Sequence, residues 1–174
     1  DQRGTGYDGY VAGIATDDNE TYYIGTGEGL LEWNRITNVT HFINFKDKEE
    51  MPLPSPQEII SIVIDHKDQI WATTNTQGLI VFDKQRNLIR HITHTGNKKY
   101  ALKMERVNRL AVGPDDFIWA CGKNGICRIN PATFEVDHFE KSILSNFDST
   151  YCTLLEFTDK DNLWIAISSG GVTH

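Results

Sequence analysis

The stretch Ile70-Trp71-Ala72-Thr73-Thr74, followed after a short turn by Gly78-Leu79, decides how the chain is read, because it recurs. The same aromatic-led strand, Gly turn and second strand return as Tyr23-Ile24-Gly25-Thr26 with Gly29-Leu30, as Trp119-Ala120-Cys121 with Gly125-Ile126, and as Trp164-Ile165-Ala166 with Gly171-Val172. The leading aromatics are spaced by 48, 48 and 45 residues. A fixed period of this length, with four short strands in each repeat, is the mark of propeller blades.

Each copy extends outward from its aromatic. Upstream lies an apolar run, Val11 to Thr16, Ile59 to Ile64, Val107 to Val112 and Cys152 to Phe157, and then a polar turn such as Asp65-His66-Lys67-Asp68 or Asp159-Lys160-Asp161-Asn162. Asp, Asn, Gly and Pro start turns because they bond nearby backbone or fix its dihedrals. The run and the aromatic segment are therefore strands A and B. Strand C follows the Gly turn (Leu30 to Trp33, Leu79 to Phe82, Ile126 to Ile129) and strand D follows a second turn (His41 to Phe45, Leu88 to Thr93, Glu135 to Phe139). Ile59-Ile60-Ser61-Ile62-Val63-Ile64 is apolar on both faces, as a strand stacked between two blades must be.

The expected fold is all-β: propeller blades at about 11–45, 58–94 and 107–139, with an incomplete fourth at 151–174. Only 10 residues follow Trp164, too few for a fourth strand D, so residues 1–174 are expected to form an open arc and not a closed ring. Such an arc calls for the remaining blades of a longer protein or for self-association. The first residues, Asp1-Gln2-Arg3-Gly4, lack an apolar core, and no apolar run approaches the ~18 residues of a membrane helix, so membrane attachment would come only through segments outside this chain.

Net charge is −7, from 24 acidic and 17 basic residues, which disfavours nucleic acid as a partner. The one basic stretch, from Lys98 to Arg106, falls between blades and reads as a solvated loop. Cys121, Cys127 and Cys152 do not compose a disulfide framework. Cys121 and Cys127 flank one turn, where they are either a cross-strand bridge or two small buried hydrophobes, the second being preferred. No second Cys or His pair completes a zinc site, and no cofactor is expected.

A repeat allows a sorting rule. A residue type that recurs at one blade position serves the scaffold, and one that breaks the repeat is free to serve a site. Trp71, Trp119 and Trp164 recur and are assigned to the core. His41, His91 and His138 each precede an apolar residue in strand D and are assigned to the scaffold too. The B–C turns and D–A connections share the upper end of the blades. There the starts of strand A present Tyr10, Glu58, Arg106 and Tyr151, and three residues further in come Gly13, Ser61, Arg109 and Leu154. Arg106, Arg109, Tyr151, Tyr10, Glu28 and Lys123 are the candidate ligand-binding residues, because loops on a rigid scaffold are where binding residues concentrate.

The stretches around Trp71, Trp119 and Tyr23-Ile24-Gly25-Thr26-Gly27-Glu28-Gly29-Leu30 resemble the two-component regulator propeller repeat, whose consensus runs Asp, Gly, aliphatic-Trp-Ile-Gly-Thr and then Gly-Leu. The resemblance covers nearly the whole chain from about Val11. It departs from the pattern at Tyr23, at Cys121, and at Gly113 and Thr158, where Asp17 and Asp65 keep the acid. The resemblance implies a periplasmic sensor segment of a bacterial hybrid two-component histidine kinase, detecting a small molecule such as an oligosaccharide and doing no chemistry itself. Two other classes compete. One is a propeller used only for protein interaction. The other is a metal-dependent lyase, for which the acids of the A–B turns (Asp65, Asp68, Asp115, Asp116, Asp159, Asp161), read as exposed, and His66 would be the raw material.

Overall fold

A computed structural model describes residues 9–16, 18–43, 58–104, 106–123, 125–139, 152–168 and 171–173. Four antiparallel sheets follow one another along the chain. The first is β1 (Val11–Thr16), β2 (Thr21–Thr26), β3 (Gly29–Asn34) and β4 (Val39–Phe42). The second is β5 (Ile59–Ile64), β6 (Ile70–Thr74), β7 (Leu79–Phe82) and β8 (Leu88–Ile92). The third is β9 (Val107–Val112), β10 (Ile118–Gly122), β11 (Gly125–Ile129) and β12 (Val136–Phe139). The fourth has three strands, β13 (Cys152–Phe157), β14 (Leu163–Ile167) and β15 (Gly171–Thr173). Neighbours in sequence are neighbours in each sheet. The four A strands fall on the residues that the apolar runs predict.

The sheets stack face to face through their first strands, β1 on β5, β5 on β9 and β9 on β13. This is an open arc of propeller blades. Three cores fill the seams. Tyr23, Leu30 and Ile43 of blade one meet Ile59, Ile62, Ile80 and Phe82 of blade two. Trp71, Leu79 and Val81 of blade two meet Val107, Leu110, Ala120 and Cys127 of blade three. Cys121, Ile126 and Trp119 of blade three meet Cys152, Leu155, Ile165 and Leu163 of blade four. Because blade two has a neighbour on both faces, β6 and β7 are buried at every position.

The leading aromatic of each blade points at the blade that follows, so its burial depends on that neighbour. Trp71 is 0% exposed, Trp119 is half-buried beside blade four, and Trp164 is 37% exposed. Trp164 thus departs from its expected place in the core. Leu154 is exposed on the same face of blade four, and Ile14 and Phe42 are exposed on the outer face of blade one.

Polar bonds add to the apolar contacts, both within blades and between them. Asp65, which the sequence reading treats as exposed, is buried: its Oδ1 accepts the amides of Lys67 and Gln69, both at 2.9 Å, and its Oδ2 accepts Trp71 Nε1 at 2.9 Å. The carboxylate therefore closes the A–B turn and pins the aromatic. Thr158 does the same work in blade four, accepting Trp164 Nε1 at 3.2 Å. Between blades one and two, the Arg86 guanidinium grips both oxygens of buried Glu32.

The cysteines depart from expectation. Cys121 is bonded to Cys152 of the next blade, with the Cα atoms 5.9 Å apart, while Cys127 is free and buried. The reason lies in the register. Cys121 pairs with Ile126 and Cys127 with Ala120, so the two side chains lie on opposite faces of the sheet. Cys121 faces blade four and Cys127 faces blade two. Burial pushes the Cys127 thiol up to about 12, leaving an unreactive small hydrophobe.

The strand-D histidines are corrected by register as well. His91 pairs with Ile80 and His138 with Cys127, but the equivalent position in blade one, opposite Leu31, is held by Phe42. His41 is one residue out of phase and turns to the other face, where it lies 3.7 Å from Glu32. Equivalence read from neighbouring letters fails here because a one-residue slip exchanges the faces of a strand.

Candidate functional site

At the upper end every blade carries the same irregularity. Strand A inserts one unpaired residue, Ala12, Ile60, Asn108 or Thr153, because Val11 and Gly13, Ile59 and Ser61, Val107 and Arg109, and Cys152 and Leu154 pair with consecutive residues of strand B. Such bulges bend the strand and re-aim its side chains. Just before the bulge, one main-chain bond recurs: Gly27 N donates to Tyr10 O at 3.3 Å, Asn75 N to Glu58 O at 3.0 Å, and Lys123 N to Arg106 O at 3.3 Å. The strand-A starts and the B–C turns are therefore coupled in register, blade by blade.

This coupling brings two pairs of candidates together. Arg106 and Lys123 share the blade-three bond, and Tyr10 lies beside the Gly27-Glu28 turn of blade one. Lys123, Glu28 and Tyr10 are exposed and Arg106 is half-buried, with an Nε that has no hydrogen-bond partner among the described residues. Arg109 lies opposite Cys121, on the face toward blade four, and its Nη1 donates to the Asn108 carbonyl at 2.7 Å. The blade-one and blade-three pairs are separated by blade two, whose start of strand A is Glu58, held by Asn75 Nδ2 at 2.7 Å. Tyr151 lies outside the described residues.

Close approach explains a glycine here. A Cβ on Gly122 would run into the Arg106 carbonyl, so the B–C turn of blade three takes Gly where blades one and two have Thr26 and Thr74. Those threonines instead fold the turn with their hydroxyls, which donate to Gly29 O at 2.9 Å and Gly78 O at 3.2 Å.

One polar residue escaped the sequence reading. Asn108, the bulged residue of blade three, is buried and its Nδ2 donates to the Cys152 carbonyl at 3.2 Å, joining blades three and four beside the disulfide. The signal was present as a repeat break, Ala12, Ile60, Asn108, Thr153, but the bulge that makes this position special is invisible without the ladder.

The basic stretch also differs from its reading as a solvated loop. Ala101, Leu102 and Met104 are buried, and Leu102 and Met104 belong to the core between blades two and three. Leu102 N donates to Thr93 O at 2.8 Å, and Lys99 O accepts Val136 N at 2.9 Å, so the segment straps blade two to blade three. His138 donates from Nε2 to the Ala101 carbonyl at 3.0 Å.

Burial holds the His138 imidazole below its ordinary value of 6.5, the Ala101 carbonyl opposing and Lys103 adding to the effect. A group with a lowered folded-state pKa takes its proton first in the unfolded chain, so stability is lost as pH falls from the ordinary value through the folded one. The parent should therefore lose more stability than His138→Gln between about pH 7 and pH 5, read from urea midpoints. Equal losses, or a His138 NMR titration at or above the ordinary value, would contradict this.

On the lower face the described acids of the A–B turns are engaged with their own surroundings. Asp65 is spent on its turn, Asp68 pairs with Lys84 at 2.6 Å, and His66 lies 3.1 Å from Asp116. Among the described residues, no three His, Cys, Asp or Glu side chains group as metal ligands would.

No protein-family model matches the sequence, and no curated protein matches it closely enough to count as a relative. Solved structures do match. The extracellular domain assigned to the hybrid two-component system BT3049 of B. thetaiotaomicron superposes with a TM-score of 0.75 at 18% identity, over 95% of this chain and 23% of that one. That of BT4673 from the same organism gives 0.70 at 18%, over 98% and 23%. The chain shares the fold of these extracellular domains. It spans about a quarter of their length. A catalytically inactive virginiamycin B lyase from Staphylococcus aureus, bearing quinupristin, gives 0.68 at 16%, over 97% of this chain and 56% of that one. The propeller arc is thus common to sensors and an enzyme, and fold alone does not choose between them.

Proposed function

We propose that the chain is the extracytoplasmic, ligand-sensing propeller segment of a bacterial hybrid two-component sensor kinase, and that its ligand is a glycan fragment or related nutrient. The observation that carries this reading is the match to extracellular domains of hybrid two-component systems along nearly the whole chain, joined to the repeat residues around Trp71 and Trp119. A periplasmic location agrees with the Cys121–Cys152 disulfide, since such bonds persist in oxidising compartments. The segment itself carries no catalysis in this reading, and signal passes to a kinase elsewhere in the protein.

The binding surface proposed is the upper edge around Arg106, Arg109, Lys123 and Tyr151, with Tyr10 and Glu28 as the corresponding edge of blade one. A guanidinium offers a fork of donors and a tyrosine offers a stacking face, a combination suited to hydroxyl-rich or carboxylated saccharides. The remaining blades of a longer protein, or a second copy, would complete the surface.

A thermal-stability screen of the intact sensor against a glycan panel tests the reading, because a ligand at 100 times its dissociation constant adds about 2.7 kcal/mol. Arg106→Ala with Arg109→Ala should abolish the shift for the active glycan while leaving the unliganded melting point in place. Ligand contacts confined to the lower turns around Asp65 and Asp115, or turnover of a substrate with added metal, would overturn it. Capture of a protein partner with no small-molecule response would favour the interaction-platform class instead.

A further inference from the structure

The basic strap between blades two and three covers an open cleft of about 620 Å³, walled by His94, Gly96, Lys98 and Lys103 with Ala101 and Leu102 at its base. We propose that this cleft is a binding site for a small oxyanion-bearing molecule, whose carboxylate or phosphate is held between Lys98 and Lys103 with His94 as a further donor. The proposal stands apart from the sensor reading and involves none of its residues.

Three observations point the same way. The first is size, since clefts of roughly 300 to 1,000 Å³ are those that enclose small organic ligands. The second is charge. Among the described residues no carboxylate lines the cleft, although the chain as a whole carries −7. Neither Lys98 nor Lys103 is paired with an acid among those residues, whereas Lys99, outside the lining, is paired with Glu135 at 2.6 Å. A concave spot of one sign inside a protein of the other sign concentrates the field on whatever enters.

The third observation is that the backbone of the strap is fixed before any ligand arrives. The strap is bonded on both sides, through Leu102 N to Thr93 O at 2.8 Å and through Val136 N to Lys99 O at 2.9 Å, and His138 holds the Ala101 carbonyl from below at 3.0 Å. Leu102 is buried at the base and anchors the turn in the core. Gly96, at φ 112°, reverses the chain at the rim, and a side chain there would meet nothing, which leaves the mouth open. His94, Lys98 and Lys103 are exposed, so with the strap's backbone already fixed only their side chains remain to be ordered on capturing an anion.

The test is a calorimetric or NMR titration of the protein with four probes: glucuronate, glucose 6-phosphate, glucose and inorganic phosphate. Saturable binding of at least one oxyanion, with chemical shifts centred on residues 94–103 and no response to glucose, is the expected result. If glucuronate or glucose 6-phosphate binds more tightly than inorganic phosphate, the ligand is an acidic sugar, and if inorganic phosphate binds as tightly, it is the free oxyanion. Lys98→Gln with Lys103→Gln should weaken binding at least tenfold with the melting point unchanged. The proposal is overturned if no probe saturates, if glucose binds equally, or if the double variant keeps its affinity. Arg106→Ala with Arg109→Ala should leave this binding intact, which separates it from the sensor surface.

Discussion

Trp71→Ala should lower stability by about 4 kcal/mol, the cost of truncating a large aromatic that is wholly enclosed. Trp71 is 0% exposed between blades two and three, packs at 5.8 Å from the Phe134 ring, and donates its indole N–H to buried Asp65. Removal opens a cavity and also strips the Asp65 carboxylate of one of its three hydrogen bonds. Trp71→Phe keeps part of the apolar contact and loses the bond to the buried Asp65 carboxylate, for about 2 kcal/mol. Trp164→Ala should cost about 1 kcal/mol or less, because that side chain is 37% exposed. Urea unfolding of the three variants checks the order. Equal losses at Trp71 and Trp164 would mean that burial between blades does not set the contribution of the repeated aromatic.

Reducing the Cys121–Cys152 bond should destabilise the protein by about 3.5 kcal/mol, the chain-entropy value for a loop of this size. The bond closes a separation of 31 residues that includes the whole D–A connection between blades three and four. It therefore limits how far blade four can leave blade three in the unfolded chain, and it does so beside Asn108, whose amide joins the same two blades. Cys121→Ala with Cys152→Ala should reproduce the loss and remove any response to reductant. Cys127→Ala should leave the reductant response intact, since that thiol is free and faces the opposite seam. An unfolding midpoint indifferent to reductant, or peptide mapping that links Cys127, would refute the assignment.

The sequence by itself determined the repeat, the four strands of each complete blade, the start of each strand A and the equivalence of Tyr10, Glu58 and Arg106. Each of these is a local signal, carried by apolar runs, turn residues and a regular period that survives every substitution. The upper-edge candidates were legible because a break in a repeat needs no partner to be seen. Only the tertiary structure decided which faces meet. Cys121 and Cys127 are six residues apart around one turn, yet they belong to opposite seams, because Cys121 pairs with Ile126 and adjacent strand positions alternate between faces. Register likewise took His41 out of the histidine row, and the strand-A bulge gave Asn108 a partner 44 residues away. The strap from Lys98 to Met104 reads as solvated because its charges are local, and it is anchored because Leu102 and Met104 reach a core assembled from two blades that no single stretch of sequence contains.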